Sequence, residues 1–285
     1  MDPTIPIGVI GAGTMGSGIA QTLAGTGSQV LMYDISDAAI SRGMAAIESS
    51  LSKLLSKQKI DTAQRDATLQ RIRGASTLGE MNNCQLVIEA ATENLDIKLG
   101  LFRELDKSCA PNSILATNTS SISITRLASA TGRPQRVIGM HFFNPVPIMQ
   151  LVEVIRAQQT SDEVHDQIIG LCKTLGKTPI DVKNSPAFVT NRLAVPMINE
   201  AIFALSEGLA TAEDIDTAMK LGMGHPMGPL ALADLIGLDT CLAIMEVLYD
   251  GFRDSKYRPC PLLREMVEAG ELGRKTGKGF HSYSS

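Results

Sequence analysis

The sequence lacks a long apolar run and an excess of positive charge. No stretch approaches the roughly 18 consecutive apolar residues of a membrane-spanning helix. Its most apolar segment, Leu230 to Met245, is interrupted by Asp234 and Asp239. The formal net charge is −4, which argues against non-specific binding to the phosphates of nucleic acids. We therefore expect no membrane-spanning helix and no nucleic-acid partner.

Cysteines are few, and their pattern excludes two kinds of cross-link. The sequence has five of them, an odd number, and no C-x-x-C pair. This pattern predicts neither a disulfide framework nor a zinc site, so no metal is expected. We predict instead that the cysteines are small buried side chains in a reducing compartment. Since the first residues show no basic segment followed by an apolar one, we expect a protein that begins near Met1 and stays in the cytoplasm.

Hydrophobic residues make up 44% and charged residues 20% of the 285 positions, enough for a buried core. Short apolar segments alternate with helical periodicities as far as Asn184-Ser185-Pro186, and only helical periodicities follow. Alternation of this kind is typical of an α/β domain with a doubly wound, mostly parallel sheet. We predict such a domain over residues 1–184, with an inserted helical arm at about 36–74, and an all-α domain over residues 185–285.

The predicted strands are Ile5–Ile10, Gln29–Tyr33, Cys84–Ala90, Ser113–Thr117, Arg136–His141, Leu151–Ile155 and Thr178–Val182. The predicted helices of the second domain are Arg192–Glu207, Thr211–Leu221, Leu230–Leu248 and Leu262–Ala269. These assignments rest on hydrophobic periodicity and on the glycines and prolines that interrupt it.

A glycine-rich turn follows the first predicted strand. It reads Gly11-Ala12-Gly13-Thr14-Met15-Gly16, with the spacing G-x-G-x-x-G, and the second strand ends at Asp34. In this setting the first glycine makes the tight turn, the second lets the backbone approach a pyrophosphate, and the third allows close packing of helix and strand. The pattern predicts a Rossmann-type site with a dinucleotide at the helix N-terminus. The plainer alternative is a glycine turn beside a surface aspartate.

Asp34 favours NAD over NADP. Its carboxylate can accept hydrogen bonds from the hydroxyls of the adenosine ribose, whereas a 2′-phosphate would meet a like charge. The sequence suggests no nearby arginine that would compensate for that charge. FAD, whose binding motif is similar, remains a lesser competitor.

Three polar residues lie at or just after successive predicted strands of the sheet. Ser120 follows the fourth strand, His141 ends the fifth, and Glu153 lies in the apolar segment Leu151 to Ile155. Ligands of doubly wound sheets bind at the carboxyl ends of the strands, so Ser120 and His141 can converge there without a metal. A buried Glu153 needs a partner. Paired with His141 it would fix the imidazole tautomer, and the histidine could then take a hydroxyl proton as hydride leaves carbon for a nicotinamide.

Each of the three residues also has a structural explanation. His141 could be a structural histidine, Ser120 a turn residue, and Glu153 a side chain that faces solvent. A Ser–His–Glu hydrolase is disfavoured, because the sequence has no G-x-S-x-G motif and the glycine turn argues for redox chemistry.

Eight segments together resemble the short-form L-3-hydroxyacyl-CoA dehydrogenases, most of all the bacterial 3-hydroxybutyryl-CoA dehydrogenases. The resemblance runs from about Ile5 to Tyr283. The segments are GAGTMGSGIA (Gly11 to Ala20), EAATEN (Glu89 to Asn94), ATNTSS (Ala116 to Ser121), GMHFFNPVP (Gly139 to Pro147), LVEVI (Leu151 to Ile155), NRL (Asn191 to Leu193), HPMGPLALADLIGLD (His225 to Asp239) and GRKTGKGF (Gly273 to Phe280).

The resemblance implies NAD-dependent oxidation of an (S)-3-hydroxyacyl-CoA to a 3-oxoacyl-CoA, and its reverse. It implies that the catalytic residues are Ser120, His141, Glu153 and Asn191. Because Asn191 opens the first helix of the second domain, the site is expected between the domains; taken alone, Asn191 could be a helix cap.

The resemblance also implies a set of binding residues. Those for the cofactor are Gly11, Ala12, Gly13, Thr14, Met15, Gly16, Asp34, Glu93, Lys98, Asn118, Ser120, Asn144 and Lys278. Those for the acyl-CoA substrate are Ser50, Lys53, Lys57, Ser120 and Asn191. Lys98 and Lys278 could each offset phosphate charge, although without the resemblance both read as surface lysines. Ser50, Lys53 and Lys57 share one face of a long helix, which could equally be a solvated face.

Two rival functions remain open at this point, and so does the oligomeric state of the protein. A 3-hydroxy-acid or sugar-acid dehydrogenase that does not use CoA would have the same general plan. A non-enzymatic NAD-binding protein is the other rival, since lambda-crystallin resembles this family. The family further implies a homodimer formed through the apolar helical domain, although the same apolar residues could be internal core.

Overall fold

The structure is a computed structural model that describes residues 1–2 and 4–283. The chain divides into two compact units, Met1–Ser185 and Pro186–Ser285. The sequence places this boundary at residue 184. The first unit contains the sheet of the described chain, and the second is built from helices.

The first unit is organised around an eight-stranded sheet with the strand order β3-β2-β1-β4-β5-β6-β7-β8. Its strands are β1 (Ile7–Ile10), β2 (Val30–Tyr33), β3 (Ile72–Gly74), β4 (Leu86–Glu89), β5 (Ile114–Thr117), β6 (Val137–Phe142), β7 (Leu151–Arg156) and β8 (Thr178–Lys183). The first six strands have the order of a dinucleotide-binding fold, in which the sequence of strands reverses beside β1. The doubly wound, mostly parallel sheet that the sequence predicts is therefore confirmed.

One strand pair departs from the parallel arrangement. β7 runs antiparallel to β6, and β8 then pairs with β7 in parallel. The start of β7 consequently lies beside the end of β6, so residues early in β7 reach the edge where the parallel strands end. The register sets His141 directly opposite Glu153.

Within residues 1–2 and 4–185, six α-helices cover this sheet. They are α1 (Thr14–Gly25), α2 (Asp37–Ser56), α3 (Thr62–Gln70), α4 (Leu95–Ser108), α5 (Ile124–Ala128) and α6 (Asp162–Thr174). Side chains define several of the helix starts: Asn94 accepts a hydrogen bond from the Ile97 amide at the start of α4, and Asp61 forms a capping box with Gln64 at the start of α3. The predicted helical arm thus consists of α2, α3 and the edge strand β3, which the sequence pattern did not reveal.

The main core of the first unit lies between one face of the sheet and helices α1, α2 and α6. Its fully buried members include Val9, Ile19, Ile88, Met140 and Ile168. Because side chains alternate along a strand, Gly139 and His141 project to the face opposite Met140. A side chain at Gly139 would lie within 3.0 Å of Ile124, so α5 packs closely on that opposite face.

The second unit contains five α-helices among its described residues: α7 (Thr190–Ser206), α8 (Ala212–Met223), α9 (Pro229–Ile236), α10 (Leu238–Phe252) and α11 (Pro261–Glu268). The prediction of one helix over Leu230–Leu248 is wrong. Gly237 has a φ of +103° and separates α9 from α10. Such a conformation suits glycine, and an apolar periodicity that continues across it conceals the break.

Two buried carboxylates connect the end of the described chain to this helical unit. Asp216 accepts hydrogen bonds from the Leu230 and Ala231 amides, at 2.8 and 2.9 Å, and its Oδ2 lies 2.8 Å from His281 Nε2. Asp234 accepts hydrogen bonds from the Phe280 and His281 amides and from the Tyr283 hydroxyl. These bonds satisfy carboxylates that are 4% and 1% exposed.

The five cysteines are buried and unpaired, as predicted. Burial raises the pKa of Cys84, Cys172 and Cys241 to about 12 and that of Cys109 to about 11. Within residues 1–2 and 4–283, no helix has both the length and the apolarity needed to cross a membrane. The same residues contain no cluster of three or more side chains arranged to hold a metal ion.

Candidate active site

The glycine turn joins β1 to α1 and has the geometry that a bound pyrophosphate requires. Gly11 has a φ of +97°, and a Cβ at Gly16 would lie 1.8 Å from the Gly11 carbonyl oxygen, so the third glycine allows α1 to pack against the turn. A Cβ at Gly13 would meet no atom within 4 Å. The backbone beside Gly13 is therefore open to a ligand at the helix N-terminus, where amides and the helix dipole favour an anion.

Asp34 lies beside this turn. Its Oδ2 accepts a hydrogen bond from the Ala12 amide at 2.8 Å, which links the end of β2 to the glycine turn. A cavity of about 300 Å³ lies between the turn and α2. Its lining residues are Ala12, Gly13, Thr14, Ser17, Asp34, Ala39, Arg42, Gly43 and Ala46. A cavity that combines an open glycine turn with an acid at the end of β2 fits the adenosine half of NAD.

The expectation that no arginine lies near Asp34 is wrong. Arg42 lines the same cavity, because α2 begins three residues after Asp34 and brings its second turn back towards the glycine turn. The sequence separates the two residues by eight positions, and only the path of the helix unites them.

His141 and Glu153 form a close buried pair. His141 Nδ1 lies 2.6 Å from Glu153 Oε2. His141 is 6% exposed and Glu153 is 0% exposed. Their proximity follows from the antiparallel register, which sets the two residues opposite each other on β6 and β7. The Phe143 ring packs against the imidazole, with 4.6 Å between ring centroids. A carboxylate on Nδ1 fixes the imidazole tautomer and stabilises the imidazolium, so the pair can act as a general acid and base at Nε2.

Ser120 lies in the turn after β5, and Glu93 holds that turn in place. Glu93 Oε1 accepts hydrogen bonds from the Thr119 hydroxyl at 2.5 Å, the Ser120 amide at 2.9 Å and the Ser121 amide at 3.1 Å. The Ser120 and Ser121 hydroxyls lie 3.2 and 3.0 Å from the same oxygen. Burial alone would raise the pKa of Glu93, but the Lys98 ammonium and the donors of Thr119, Ser121 and Ser120 outweigh it and hold this pKa below its ordinary value.

Lys98 lies in a buried ion pair. Its Nζ is 2.5 Å from Glu89 Oε1 and 3.6 Å from Glu93 Oε2, and the residue is 1% exposed. Glu89 also accepts hydrogen bonds from the Ala91 amide and the Thr117 hydroxyl, each at 2.7 Å. The charge of Lys98 is therefore compensated by two carboxylates within the protein. Its contact with cofactor phosphates stays a prediction.

The two predicted cofactor asparagines lie at strand ends. Asn118 Oδ1 accepts the Phe142 amide hydrogen bond at 2.9 Å and so connects the end of β5 to the end of β6. Asn144 is exposed, two residues after β6, and it precedes the cis peptide bond to Pro145. Both residues belong to the edge of the sheet that carries Ser120 and His141.

The remaining predicted residues lie on α2 and in the helical unit. Ser50 and Lys53 are in the last two turns of α2, and Lys57 is its C-cap residue. Asn191 is the second residue of α7, whose N-cap is Val189, so Asn191 does not cap that helix. Lys278 forms an ion pair with Glu271 within the helical unit. Binding roles for these residues stay predictions.

A larger cavity lies elsewhere in the first unit. It has a volume of about 570 Å³ and is lined by side chains of α1, α2 and α3, together with Pro147, Leu175 and Lys177. None of the predicted site residues lines it. Size alone therefore does not locate the chemistry of this chain.

Sequence reasoning missed two residues of the candidate site, Arg42 and Glu89. Glu89 had a detectable signal, because it is an acid at the end of an apolar strand and such a group needs a buried partner. Arg42 could have been suggested only by following the helical spacing from Asp34.

The strand order, the glycine turn and the acid at the end of β2 define the class of the protein: it is an NAD-binding oxidoreductase. Comparison with known families narrows this class. The model of the 3-hydroxyacyl-CoA dehydrogenase NAD-binding domain matches residues 6–185, and that of the C-terminal domain of the same family matches residues 188–283. The chain belongs to the 3-hydroxyacyl-CoA dehydrogenase family and is an NAD-dependent enzyme of it.

Individual relatives agree with this assignment. A probable 3-hydroxybutyryl-CoA dehydrogenase of Bacillus subtilis is 54% identical over 96% of both chains. The crystal structure of (S)-3-hydroxybutyryl-CoA dehydrogenase from Ralstonia eutropha is 56% identical, with a TM-score of 0.96, and covers 99% of this chain and 100% of its own. A diketoreductase described as acting on dicarbonyl compounds has the same fold at 30% identity and a TM-score of 0.87, over 99% of this chain and 100% of its own.

Proposed function

We propose that this chain catalyses the reversible NAD-dependent oxidation of (S)-3-hydroxybutyryl-CoA to acetoacetyl-CoA. The observation that carries the proposal is the buried His141–Glu153 pair, 2.6 Å apart, at the edge of the sheet where the parallel strands end. The substrate is inferred from the names of relatives that are 54% and 56% identical to nearly the whole chain.

The cofactor would lie along the carboxyl edge of the first unit. Gly11 to Gly16 would hold the pyrophosphate, and Asp34 would accept hydrogen bonds from the adenosine ribose. Glu93, Lys98, Asn118, Ser120, Asn144 and Lys278 are the further cofactor residues of the proposal. Bound NAD supplies the acceptor for the hydride that leaves C3 of the substrate.

The proton of the substrate hydroxyl is transferred to His141. Nδ1 is held by Glu153, so the proton is taken up at Nε2 while the C3–O bond becomes a carbonyl. The imidazolium formed in this step is stabilised by the Glu153 carboxylate, which is already desolvated and needs no rearrangement. In the reverse direction the same nitrogen returns the proton to the alkoxide oxygen.

Ser120 and Asn191 position the substrate in this proposal. In this proposal the Ser120 hydroxyl exchanges its 3.2 Å hydrogen bond to Glu93 for one that it donates to the reacting oxygen. The Asn191 amide contacts the thioester carbonyl. Ser120 suits this role because Glu93 fixes its backbone amide and the turn around it. A fixed donor loses little conformational freedom when the substrate binds.

The CoA moiety would contact the end of α2. Lys53 and Lys57 are exposed there and Ser50 is half-buried, so two cations and a hydroxyl are available to phosphate groups. The proposed partner is therefore an acyl-CoA. We further propose a homodimer through the helical unit, a cytoplasmic location, and a role in fatty-acid metabolism.

A substrate without CoA is the second candidate, because a diketoreductase of the same fold is described as acting on dicarbonyl compounds. Its lower identity of 30%, against 56% for the 3-hydroxybutyryl-CoA dehydrogenase, makes it the weaker of the two. The alternative predicts turnover of free 3-hydroxybutyrate or a simple diketone without CoA.

Initial rates with acetoacetyl-CoA test the proposal. Oxidation of NADH is followed by absorbance, with NADPH, free acetoacetate and a simple diketone in parallel reactions. We expect rapid oxidation of NADH with the CoA ester only. Turnover of the diketone but not of acetoacetyl-CoA, from protein that binds NADH, would transfer the assignment to the non-CoA candidate.

The His141→Ala variant tests the mechanism separately from the substrate. Loss of general acid–base catalysis should lower kcat by about 10²–10⁴-fold, while NADH binding, measured by fluorescence, persists. Normal turnover by folded His141→Ala protein would refute the assigned role of His141.

A further inference from the structure

We propose that Arg42 is the cationic half of a latent subsite for the 2′-phosphate of NADP(H). Cofactor selectivity would then depend on the pair Asp34 and Arg42, rather than on Asp34 alone. The inference concerns the cofactor site of the family, and its binding tests do not depend on the proposed substrate.

The position of Arg42 carries the first part of the argument. Ala39, Arg42, Gly43 and Ala46 share one face of α2, since they are spaced by three and four residues, and all four line the cavity that contains Asp34. Arg42 therefore faces the place where the adenosine ribose of a dinucleotide would lie.

Helix α2 packs closely against the glycine turn beside Arg42. A Cβ at Gly43 would lie 2.7 Å from the Ala12 carbonyl oxygen and 3.1 Å from the Ala12 Cβ. The helix backbone is thus pressed against the glycine turn at the residue next to Arg42. This contact fixes the distance between the backbone of α2 beside Arg42 and the glycine turn.

The cavity is lined by one acidic and one basic side chain, Asp34 and Arg42. Arg42 is exposed, and it makes no hydrogen bond or ion pair among the interactions recorded for residues 1–2 and 4–283. Asp34 is half-buried and its Oδ2 is held by the Ala12 amide. A guanidinium presents paired donors that match phosphate oxygens. The cavity therefore contains one group that attracts a 2′-phosphate and one that repels it.

The two groups differ in exposure and in hydrogen bonding, and this difference would favour NAD over NADP. The Asp34 carboxylate is fixed in place beside the ribose site, whereas Arg42 is a long exposed side chain whose attraction is screened by water. Repulsion from the fixed charge prevails in the native chain. Removing that charge should expose the attraction of Arg42.

A titration of NADPH by fluorescence tests this pair without any turnover. Asp34→Asn removes the charge and keeps an oxygen that can accept the Ala12 hydrogen bond. We expect it to tighten NADPH binding by at least about tenfold, the effect of one nearby unit charge in a partly solvated site. In the same background, Arg42→Ala should weaken NADPH binding by about 10- to 100-fold, the range for hydrogen bonds to a charged group, and weaken NADH binding by a much smaller factor.

Arg103→Ala is the matched control, because Arg103 is an exposed arginine of α4 that does not line the cavity. It should leave both Kd values unchanged. The inference is overturned if Asp34→Asn/Arg42→Ala binds NADPH as tightly as Asp34→Asn, or if folded Asp34→Asn gains no affinity for NADPH.

A second measurement needs no change at Asp34. Competition of 2′,5′-ADP and of 5′-AMP against NADH is compared in the native protein and in Arg42→Ala. Because Asp34 repels the 2′-phosphate, 2′,5′-ADP should compete only weakly in the native protein. A further rise of its inhibition constant in Arg42→Ala, with that of 5′-AMP unchanged, supports the subsite. An unchanged constant for 2′,5′-ADP, or equal changes for both nucleotides, refutes it. Because these are binding measurements, they stand even if acetoacetyl-CoA proves not to be the substrate.

Discussion

Replacing Glu153 by glutamine removes a charge from the centre of the proposed mechanism while changing the side-chain volume little. In the native chain, Glu153 Oε2 lies 2.6 Å from His141 Nδ1, and neither side chain is accessible enough for water to screen the pair. A glutamine can still accept the hydrogen bond from Nδ1, so the variant isolates the electrostatic contribution of the carboxylate.

The magnitude follows from that geometry. The centres of the two charges lie about 4 Å apart once His141 is protonated, and an effective dielectric constant of about 20 gives about 4 kcal/mol of attraction. Part of this attraction is recovered by the amide dipole of glutamine. We therefore expect to lose about 2.7 kcal/mol of transition-state stabilisation, which lowers kcat by about 10²-fold.

The assay is the steady-state reduction of acetoacetyl-CoA with NADH. The KM for NADH should change little, because the cofactor residues are separate from the pair. Glu104→Gln is the matched control, since Glu104 is an exposed acid of α4 outside the site, and it should keep the native kcat. If Glu153→Gln is folded by circular dichroism, binds NADH and retains kcat within about threefold, the electrostatic role of Glu153 is refuted.

Three further predictions concern the surroundings of the site. Lys98→Met should lower the free energy of unfolding by about 3–5 kcal/mol, because it leaves the buried Glu89 carboxylate without its cation. Urea unfolding followed by circular dichroism measures this loss, with Lys107→Met, at an exposed lysine of α4, as the control. Equal stability of the two variants would contradict the prediction. Because the pKa of Glu93 is held below its ordinary value of 4.5, native protein should be more stable than Glu93→Gln, with the full difference present above about pH 4.5. This difference should shrink as the pH falls through the lower pKa of the native carboxyl. Melting temperatures of both proteins across this pH range measure it, and a difference that grows towards acid pH would contradict the prediction. Gly43→Ala should destabilise the first unit by about 1–3 kcal/mol and weaken NADH binding, because the new methyl group meets the Ala12 carbonyl. Gly100→Ala is the control: the space around this residue of α4 is open, so the change should stabilise the helix by about 0.5–1 kcal/mol. Equal losses of stability in the two variants would show that the close contact at Gly43 is unimportant.

Local patterns were sufficient to predict the main elements of the sheet. β1, α1 and β2 are encoded in consecutive residues, because an apolar run, a glycine turn and a helical periodicity each have a clear signature. β3 was missed since it has only three residues, Ile72–Gly74, at the edge of the sheet. The break at Gly237 was missed because apolar residues continue at helical spacing on both sides of it.

The candidate site was predictable where its residues follow strand ends. Ser120, His141 and Glu153 could be singled out from pattern alone, and the antiparallel register brings the last two into contact. The partners of Lys98 could not be foreseen, because a lysine on a polar helix is normally exposed. Its burial depends on Glu89 and Glu93, which approach it only in the folded chain.

The hydrogen bonds of Asp216 and Asp234 have a consequence for how the chain folds during synthesis. The two carboxylates lie on α8 and α9, yet their partners include Phe280, His281 and Tyr283, which leave the ribosome last among the described residues. Until those residues emerge, the helical unit contains acids that lack part of their hydrogen bonding. The sheet unit, complete by Ser185, can fold while synthesis continues. We therefore expect the helical unit to reach its native packing only after residues 280–283 have been made.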